Sequence, residues 1–344
     1  MPLPEKALIA GIRRAEEILR SAKFSRRKPT GMSAGAAQIL TGIGDDCAVL
    51  RLPPGSELLV TTDFSLEGIH FRRDWHPAES VGHRCLTRGL SDIAAMGGDP
   101  VAAFLSLALP PDLPQSWVKG FLRGLLHLAN RYGVSLAGGD TAQSPDGILA
   151  DIIVLGSAPK KGAILRSTAR AGDAIYVTGT LGGSAAAIKQ MMAQPKKSLN
   201  PREYSKHFYP EPRIALARIL REKNLATAMI DISDGLSTDL AHICEESAVG
   251  AEIEAESIPR ARGGTPAREV NLHLALHGGD DYELLFTAPA KKRIPTQMAG
   301  VPLTRIGRIT RGRKIILREA GVGSELLPQG WEHFKASKSS RTAS

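Results

Sequence analysis

Asp231-Ile232-Ser233-Asp234-Gly235 links an apolar run at 227–232 to a helical pattern at 237–246. A strand that ends in two carboxylates and hands over to a helix through glycine reads as one unit of an α/β layer, with its polar groups gathered at one end. Four more acidic clusters lie beside glycine or at the end of an apolar run: Gly42-Ile43-Gly44-Asp45-Asp46, Thr61-Thr62-Asp63, Gly138-Gly139-Asp140 and Gly278-Gly279-Asp280-Asp281-Tyr282-Glu283. Carboxylates near apolar elements are costly unless paired or metal-bound. Any one of these clusters also fits a capped turn. Five of them in a chain of formal charge +9 point to a site that gathers hard cations. Mg²⁺ suits such a site, because it takes oxygen ligands and is shared with substrate phosphates.

Outward from this unit, strands and helices alternate. Strands are expected at 48–52, 58–62, 102–109, 151–156, 174–179, 282–287, 303–309 and 314–317, and 134–137 leads into Gly138-Gly139-Asp140. Helices are expected at 5–22, 77–96, 115–132 and 214–221, with an Ala-rich one after Ser184. The alternation argues for α/β and α+β layers. A basic, Gly-containing stretch at 160–173 sets the expected boundary between a domain at 1–160 and a second at 161–335. Residues 25–36 read as a loop, and the basic tail 336–344 is expected to be disordered. On helix 77–96, Val81, Cys85, Leu86, Leu90, Ile93 and Met96 share one arc. Asp92 falls inside its edge, whereas a solvated acid would share the other side with Arg84, Thr87 and Ser91. That placement marks Asp92 as a partnered carboxylate.

The chain has 344 residues, enough for two cores, and 42% are hydrophobic. No apolar run is long enough for a membrane span, and the N-terminus lacks the apolar core of a signal peptide. Cys47, Cys85 and Cys244 are scattered and odd in number, which suits a reducing cytoplasm. The basic excess lies in segments such as Arg26-Arg27-Lys28 and Lys291-Lys292-Arg293 with no interleaved aromatics, so nucleic acid is not the expected partner. No P-loop, dinucleotide fingerprint or protein-kinase signature is present. Thr178-Gly179-Thr180-Leu181-Gly182-Gly183 reads as a tight strand-to-helix turn. His70, seven residues after Asp63, is either a satisfied structural side chain or a substrate contact.

With these residues in view, the chain resembles the thiamine-monophosphate kinases of the aminoimidazole-ribonucleotide-synthetase-like superfamily. The likeness rests on the five clusters together with Gly68-Ile69-His70-Phe71, Leu90-Ser91-Asp92-Ile93-Ala94-Ala95-Met96-Gly97, Leu165-Arg166-Ser167 and Gly330-Trp331-Glu332-His333-Phe334. Each is weak alone; their order and spacing are specific. The resemblance implies an N-terminal α/β domain that pairs in a homodimer, a C-terminal α+β domain, and ATP between them. It implies phosphorylation of thiamine phosphate to thiamine diphosphate with several Mg²⁺ ions. Asp46, Thr61, Thr62, Asp63, Asp92, Asp140, Asp231 and Asp234 match metal positions. Gly139, Asp140, Arg166 and Ser233 match ATP contacts, with Tyr132 a further candidate against adenine. His70, Asp280 and Trp331 match contacts to thiamine phosphate. The chain departs from the pattern at Asp280, where Glu is frequent, at Trp331, where Tyr is frequent, and at Arg88-Gly89, where Val-Asn is frequent. An aminoimidazole ribonucleotide synthetase and a non-catalytic nucleotide-binding regulator remain alternatives. A selenophosphate synthetase fits less, since its reactive Cys and Lys are not seen.

Overall fold

A computed structural model of the chain describes residues 10, 11, 13, 14, 37–43, 45–264, 267–332 and 334. The loop expected at 25–36, most of the helix expected at 5–22, and the tail 336–344 lie outside the described residues. A short hairpin, β1 (Gln38–Thr41) and β2 (Val49–Arg51), precedes the first sheet. That sheet has four strands, β3 (Ser56–Leu66), β4 (Asp99–Leu109), β5 (Ser135–Gln143) and β6 (Leu149–Pro159), in the order β3-β6-β4-β5. Helices α1 (Ala78–Ala95) and α2 (Gln115–Tyr132) lie on one face of it.

The second sheet is formed by β7 (Ala174–Thr178), β8 (Ala228–Ile232), β9 (Gly250–Glu254), β10 (Glu283–Ala288), β11 (Val301–Thr310), β12 (Ile315–Glu319) and β13 (Val322–Glu325). Their order is β13-β12-β9-β11-β7-β10-β8, with the two-residue strand Gln297–Met298 beside β11. Helices α3 (Gly183–Ala193), α4 (Ser205–Phe208), α5 (Ile214–Glu222), α6 (Leu236–Glu246) and α7 (Leu272–His277) complete this half. Successive residues of a strand point to opposite faces, and the second sheet uses both. Met229, Leu284 and Phe286 join the core around α1, whereas Ile230, Ile232 and Leu285 join a separate core beneath α6.

Helix α1 therefore lies between the two sheets. Val81, Leu86, Leu90 and Ile93 are buried on it, each stabilising the fold by about 1.5–3 kcal/mol relative to exposure. The expectation that Arg84, Thr87 and Ser91 line a solvated side is overturned. All three are buried, at 3%, 0% and 0% exposure, because the second half of the chain covers that side. His83 Nε2 meets the Pro210 carbonyl at 2.8 Å, and Thr87 bonds back to the His83 carbonyl. Arg221 and Arg218 of α5 both bond Asp99 at the start of β4.

Three clusters expected at strand ends differ in placement. Thr61-Thr62-Asp63 lies well inside β3, and Gly138-Gly139-Asp140 inside β5. In β5 the glycine is structural. A Cβ on Gly139 (φ 151°) would lie 1.9 Å from the Leu105 carbonyl oxygen of the neighbouring strand. Only Asp231-Ile232-Ser233-Asp234-Gly235 is a strand-to-helix junction, from β8 to α6.

Candidate active site between the two sheets

Strand alternation decides what faces α1. On β3, Leu59 and Ser65 are buried with Thr61 and Asp63 on their side, while Leu58, Val60, Thr62 and Phe64 point to the other, open face. On β8, Asp231 shares the face of Met229, which belongs to the core around α1. Helix α1 presents Asp92 between them. Thr61 Oγ1 donates a short hydrogen bond to Asp92 Oδ2, and Ser91 Oγ donates to Asp231 Oδ2 at 2.6 Å. Asp63, Asp92 and Asp231, which come from distant parts of the sequence, are thus brought to one cleft.

Their electrostatics are unfavourable as they stand. Burial, then the charge of Asp92, pushes the Asp63 carboxyl up to about 7. Burial, then Asp92, pushes Asp231 up to about 8, against a hydrogen bond from Ser91. Burial raises Asp92 as well, opposed by the Thr61 hydrogen bond and the nearby Arg166 and Arg88 guanidiniums. Like charges in a partly dry cleft raise one another's pKa, and a bound cation reverses that effect. The donors are oxygens throughout, which fits a hard divalent ion.

Next to this cluster, Asp234, Asp239 and His242 bring their ligand atoms within 4.8 Å of one another. Asp239 accepts the backbone N–H groups of Asp234 and Gly235 at 3.2 and 3.0 Å. Burial, then Asp231 and Asp234, pushes the Asp239 carboxyl well above its ordinary range. Sequence reading missed Asp239 and His242. Their signal was the spacing from Asp234, five and eight residues on, which brings helix α6 back over the junction.

The loop 278–283 closes the other side. Its three acids have separate tasks. Asp281 accepts from the Gly182 N–H at 2.7 Å at the start of α3. Glu283 is fully buried and held by Arg213 at 2.6 and 2.7 Å, Lys206 and Thr178. Asp280 faces α1, where Arg84 reaches it at 2.7 Å, Arg88 at 3.3 Å and the Tyr282 hydroxyl at 2.6 Å. Burial opposes its charge, but Arg84 and Arg88 hold the Asp280 carboxyl well below the usual carboxylate range. Asp280 and Tyr282 have φ of 62° and 50°, a left-handed backbone that is rare for a bulky residue. Two backbone bonds fix it, from Asp280 N–H to the Ser233 carbonyl at 2.8 Å and from Tyr282 N–H to the Ile232 carbonyl at 2.9 Å. Gly279 permits this approach, since its Cβ would lie 2.4 Å from the Ser233 oxygen.

Other expected residues lie around or outside this cleft. Arg166, in a 3-10 turn at Arg166–Thr168, is close enough to act on Asp92. The Trp331 backbone N–H bonds the Asp234 carbonyl at 3.0 Å, and the residue is half-exposed. His70 Nδ1 accepts the Leu66 N–H at 3.0 Å in the turn after β3. Thr62 instead donates to Asp151 at 2.7 Å on the open face of the first sheet. Asp140 is on that same face, in register with Asp151 through Ser106. Asp151 is a further residue that sequence reading used only as a strand start. Asp46 is exposed in the segment between β1 and β2, beside Asp45. Tyr132 lies where the halves meet, its hydroxyl within 3.2 Å of a Glu211 carboxylate oxygen and 3.1 Å of the Pro212 carbonyl, which share its one O–H.

Two domain families match the chain. They are the AIR synthase related protein N-terminal domain over residues 44–158 and the AIR synthase related protein C-terminal domain over residues 170–319. The thiamine-monophosphate kinase of Escherichia coli (strain K12) is 42% identical over 305 residues, 85% of this chain and 91% of that protein. The chain belongs to the thiamine-monophosphate kinase family. A crystal structure of the family member from Stenotrophomonas maltophilia superposes with a TM-score of 0.75 at 33% identity, covering 89% of this chain and 96% of that one. AaThiL, complexed with AMPPCP and TMP, superposes with a TM-score of 0.72 at 32% identity, covering 82% and 88%. Membership and the pair of α/β domains agree with the resemblance drawn from the motifs.

Proposed function

We propose that this chain transfers the γ-phosphoryl group of ATP to thiamine phosphate, forming ADP and thiamine diphosphate. The observation that carries the reading is the convergence of Asp63, Asp92 and Asp231 with raised pKa values in one cleft of a chain that belongs to this family. AaThiL was solved with AMPPCP and TMP together, which supports the same two substrates here.

Asp63, Asp92, Asp231 and Asp234, with Thr61, would hold Mg²⁺ in the cleft. Asp46, Thr62 and Asp140 are further ligands on the strength of the motif match alone. Bound there, Mg²⁺ supplies charge neutralisation of the polyphosphate. The chain's own groups orient the partners. Gly139, Asp140, Arg166 and Ser233 are assigned to ATP, and His70, Asp280 and Trp331 to the acceptor. A phosphate monoester, with a second pKa of about 6, is largely dianionic at neutral pH. Its oxygen attacks the γ-phosphorus in line as the bond to the β,γ-bridging oxygen breaks, and ADP leaves with that electron pair. No general base is required.

A homodimer completes the reading. Leu58, Val60 and Phe64 project from the open face of β3 at 49%, 61% and 54% exposure. Three exposed apolar side chains on one sheet face, with Thr62 among them, fit a protein-contact surface, and in this reading a second copy covers it. The three cysteines are free thiols, in keeping with a cytoplasmic enzyme. No helix among the described residues is long and apolar enough to cross a membrane.

The test is incubation of the purified protein with γ-labelled ATP and Mg²⁺, with and without thiamine phosphate. Label is expected in thiamine diphosphate and none on the protein. Label retained on a histidine or aspartate would replace direct transfer by a phosphoenzyme route, and ATP turnover indifferent to thiamine phosphate would remove the reading.

A further inference from the structure

Arg88 is a cleft residue whose hydrogen-bonding capacity is mostly unspent among the described residues. A guanidinium offers five N–H donors. Among the described residues Arg88 makes a single hydrogen bond, a long one of 3.3 Å to Asp280 Oδ1. Its side chain is 13% exposed, so the remaining donors are neither satisfied by protein nor open to bulk water on all sides.

Asp280 does not need Arg88. Arg84, at 2.7 Å and 4% side-chain exposure, is its close partner, and the Tyr282 hydroxyl takes the same Oδ1 at 2.6 Å. Arg84 is itself fixed, donating to the His207 carbonyl at 2.6 Å. Arg84 thus positions Asp280, and Arg88 is surplus to that pair. Arg88 stands one helical turn before Asp92, and residues four apart share a helix face. It also lies near enough to Asp63 to act on its charge, yet makes no hydrogen bond to either carboxylate. A buried cation with free donors, placed between the acceptor contact and two proposed cation-holding acids, is arranged for an anion that arrives from the cleft.

We propose that Arg88 binds the phosphate of the acceptor, holding a non-reacting oxygen through its planar fork while Asp280 engages the rest of the molecule. The fork geometry matches phosphate oxygens, and such charge-assisted bonds are about twice as strong as neutral ones. This deepens the proposed function and rests on it. Arg88 is assigned to the acceptor rather than to ATP because, among the described residues, the side chain it bonds is Asp280, the proposed acceptor contact.

The test compares Arg88→Met and Arg88→Lys with the wild type. Steady-state KM values are measured for thiamine phosphate and for ATP, and thiamine, which lacks the phosphate, is titrated calorimetrically in the presence of AMPPCP and Mg²⁺. For Arg88→Met the KM for thiamine phosphate should rise at least tenfold, while the KM for ATP and the affinity for thiamine stay within twofold. Arg88→Lys keeps the charge and stem but loses the fork, and should fall between Met and wild type. It decides the matter alone if Arg88→Met does not fold. An acceptor KM within twofold of wild type overturns the proposal. So does an equal rise for both substrates, or a loss of thiamine binding equal to that of thiamine phosphate. If the wild type makes no thiamine diphosphate, the parent reading falls and takes this one with it. If it does and the variants are unchanged, only the Arg88 assignment falls.

Discussion

Two charged regions of the molecule contrast sharply in how their charges are matched. On the second sheet, a cavity of about 470 Å³ is lined by Glu252, Glu254, Ser257, Arg305, Arg308 and Arg318. There Glu252 takes Arg308 through Oε2 at 2.7 and 3.1 Å and Arg318 through Oε1. Both oxygens are engaged by cations of the chain itself. In the cleft around α1, Asp63, Asp92 and Asp231 face one another; Thr61 bonds Asp92 and Ser91 bonds Asp231, and among the described residues no cation of the chain hydrogen-bonds any of the three. The matched region is a cavity whose acid is satisfied by the chain itself, and the proposed chemistry belongs to the less matched region. Incompletely matched charge, rather than a cavity, marks the candidate site, because strongly perturbed buried acids cluster where a ligand completes them.

The largest effect expected from this contrast is on turnover. Asp63→Asn, Asp92→Asn and Asp231→Asn should each lower kcat by at least about a hundredfold, because each removes a charge proposed to hold Mg²⁺. The same substitutions should leave melting temperature equal or raised in metal-free buffer, since they remove like-charge repulsion. A fall in stability together with normal turnover would make the cleft acids structural and break the comparison.

The next effect separates the two substrates. His70→Ala and Asp280→Ala should raise the KM for thiamine phosphate and spare ATP, and Arg166→Ala should do the reverse. Loss of a polar partner costs about 1–3 kcal/mol, or about fivefold to over a hundredfold. Asp280→Glu should be tolerated. Paired KM values for each variant decide the assignment, and a crossed pattern would misplace both substrates.

A smaller effect follows from pH. Asp63 and Asp231 titrate near 7 and 8 in the folded chain, well above their unfolded value of about 3.9. Between about pH 4 and 8 the folded state therefore holds more protons than the unfolded state, so metal-free stability falls as pH rises through that window, by up to about 1.4 kcal/mol per pH unit and group. Thermal melts at pH 5 and pH 8 in EDTA should show the drop, and Asp63→Asn should flatten it. A flat profile for the wild type would mean that these acids are already compensated. The smallest effect belongs to the matched region. Glu252→Gln should cost about 0.5–1 kcal/mol of stability and leave turnover unchanged.

The sequence carried the elements well and the assembly less well. Helix Gln115–Tyr132 and the junction at Asp231 were readable from local pattern, because capping, glycine and periodicity are local signals. Asp92 was readable as a partnered acid because its own helix placed it at the apolar edge. Arg84, Thr87 and Ser91 were misplaced on a solvated side, since nothing in residues 77–96 reports that the second half of the chain packs over them. Asp151 and the roles of Arg84 and Arg88 depend on strand register and on a contact across 192 to 196 residues. Glu283 resembled its neighbour Asp280 in sequence, yet Arg213 ties it down, a distinction made only by tertiary packing.

The most direct test of the central claim, that the cleft acids serve ATP-dependent transfer by holding divalent cations, is thiamine diphosphate formation as Mg²⁺ is restored to EDTA-treated protein supplied with ATP and thiamine phosphate. No product in EDTA and recovery to full rate on adding Mg²⁺ is the predicted result. Product formed at full rate in the metal-free buffer would contradict it.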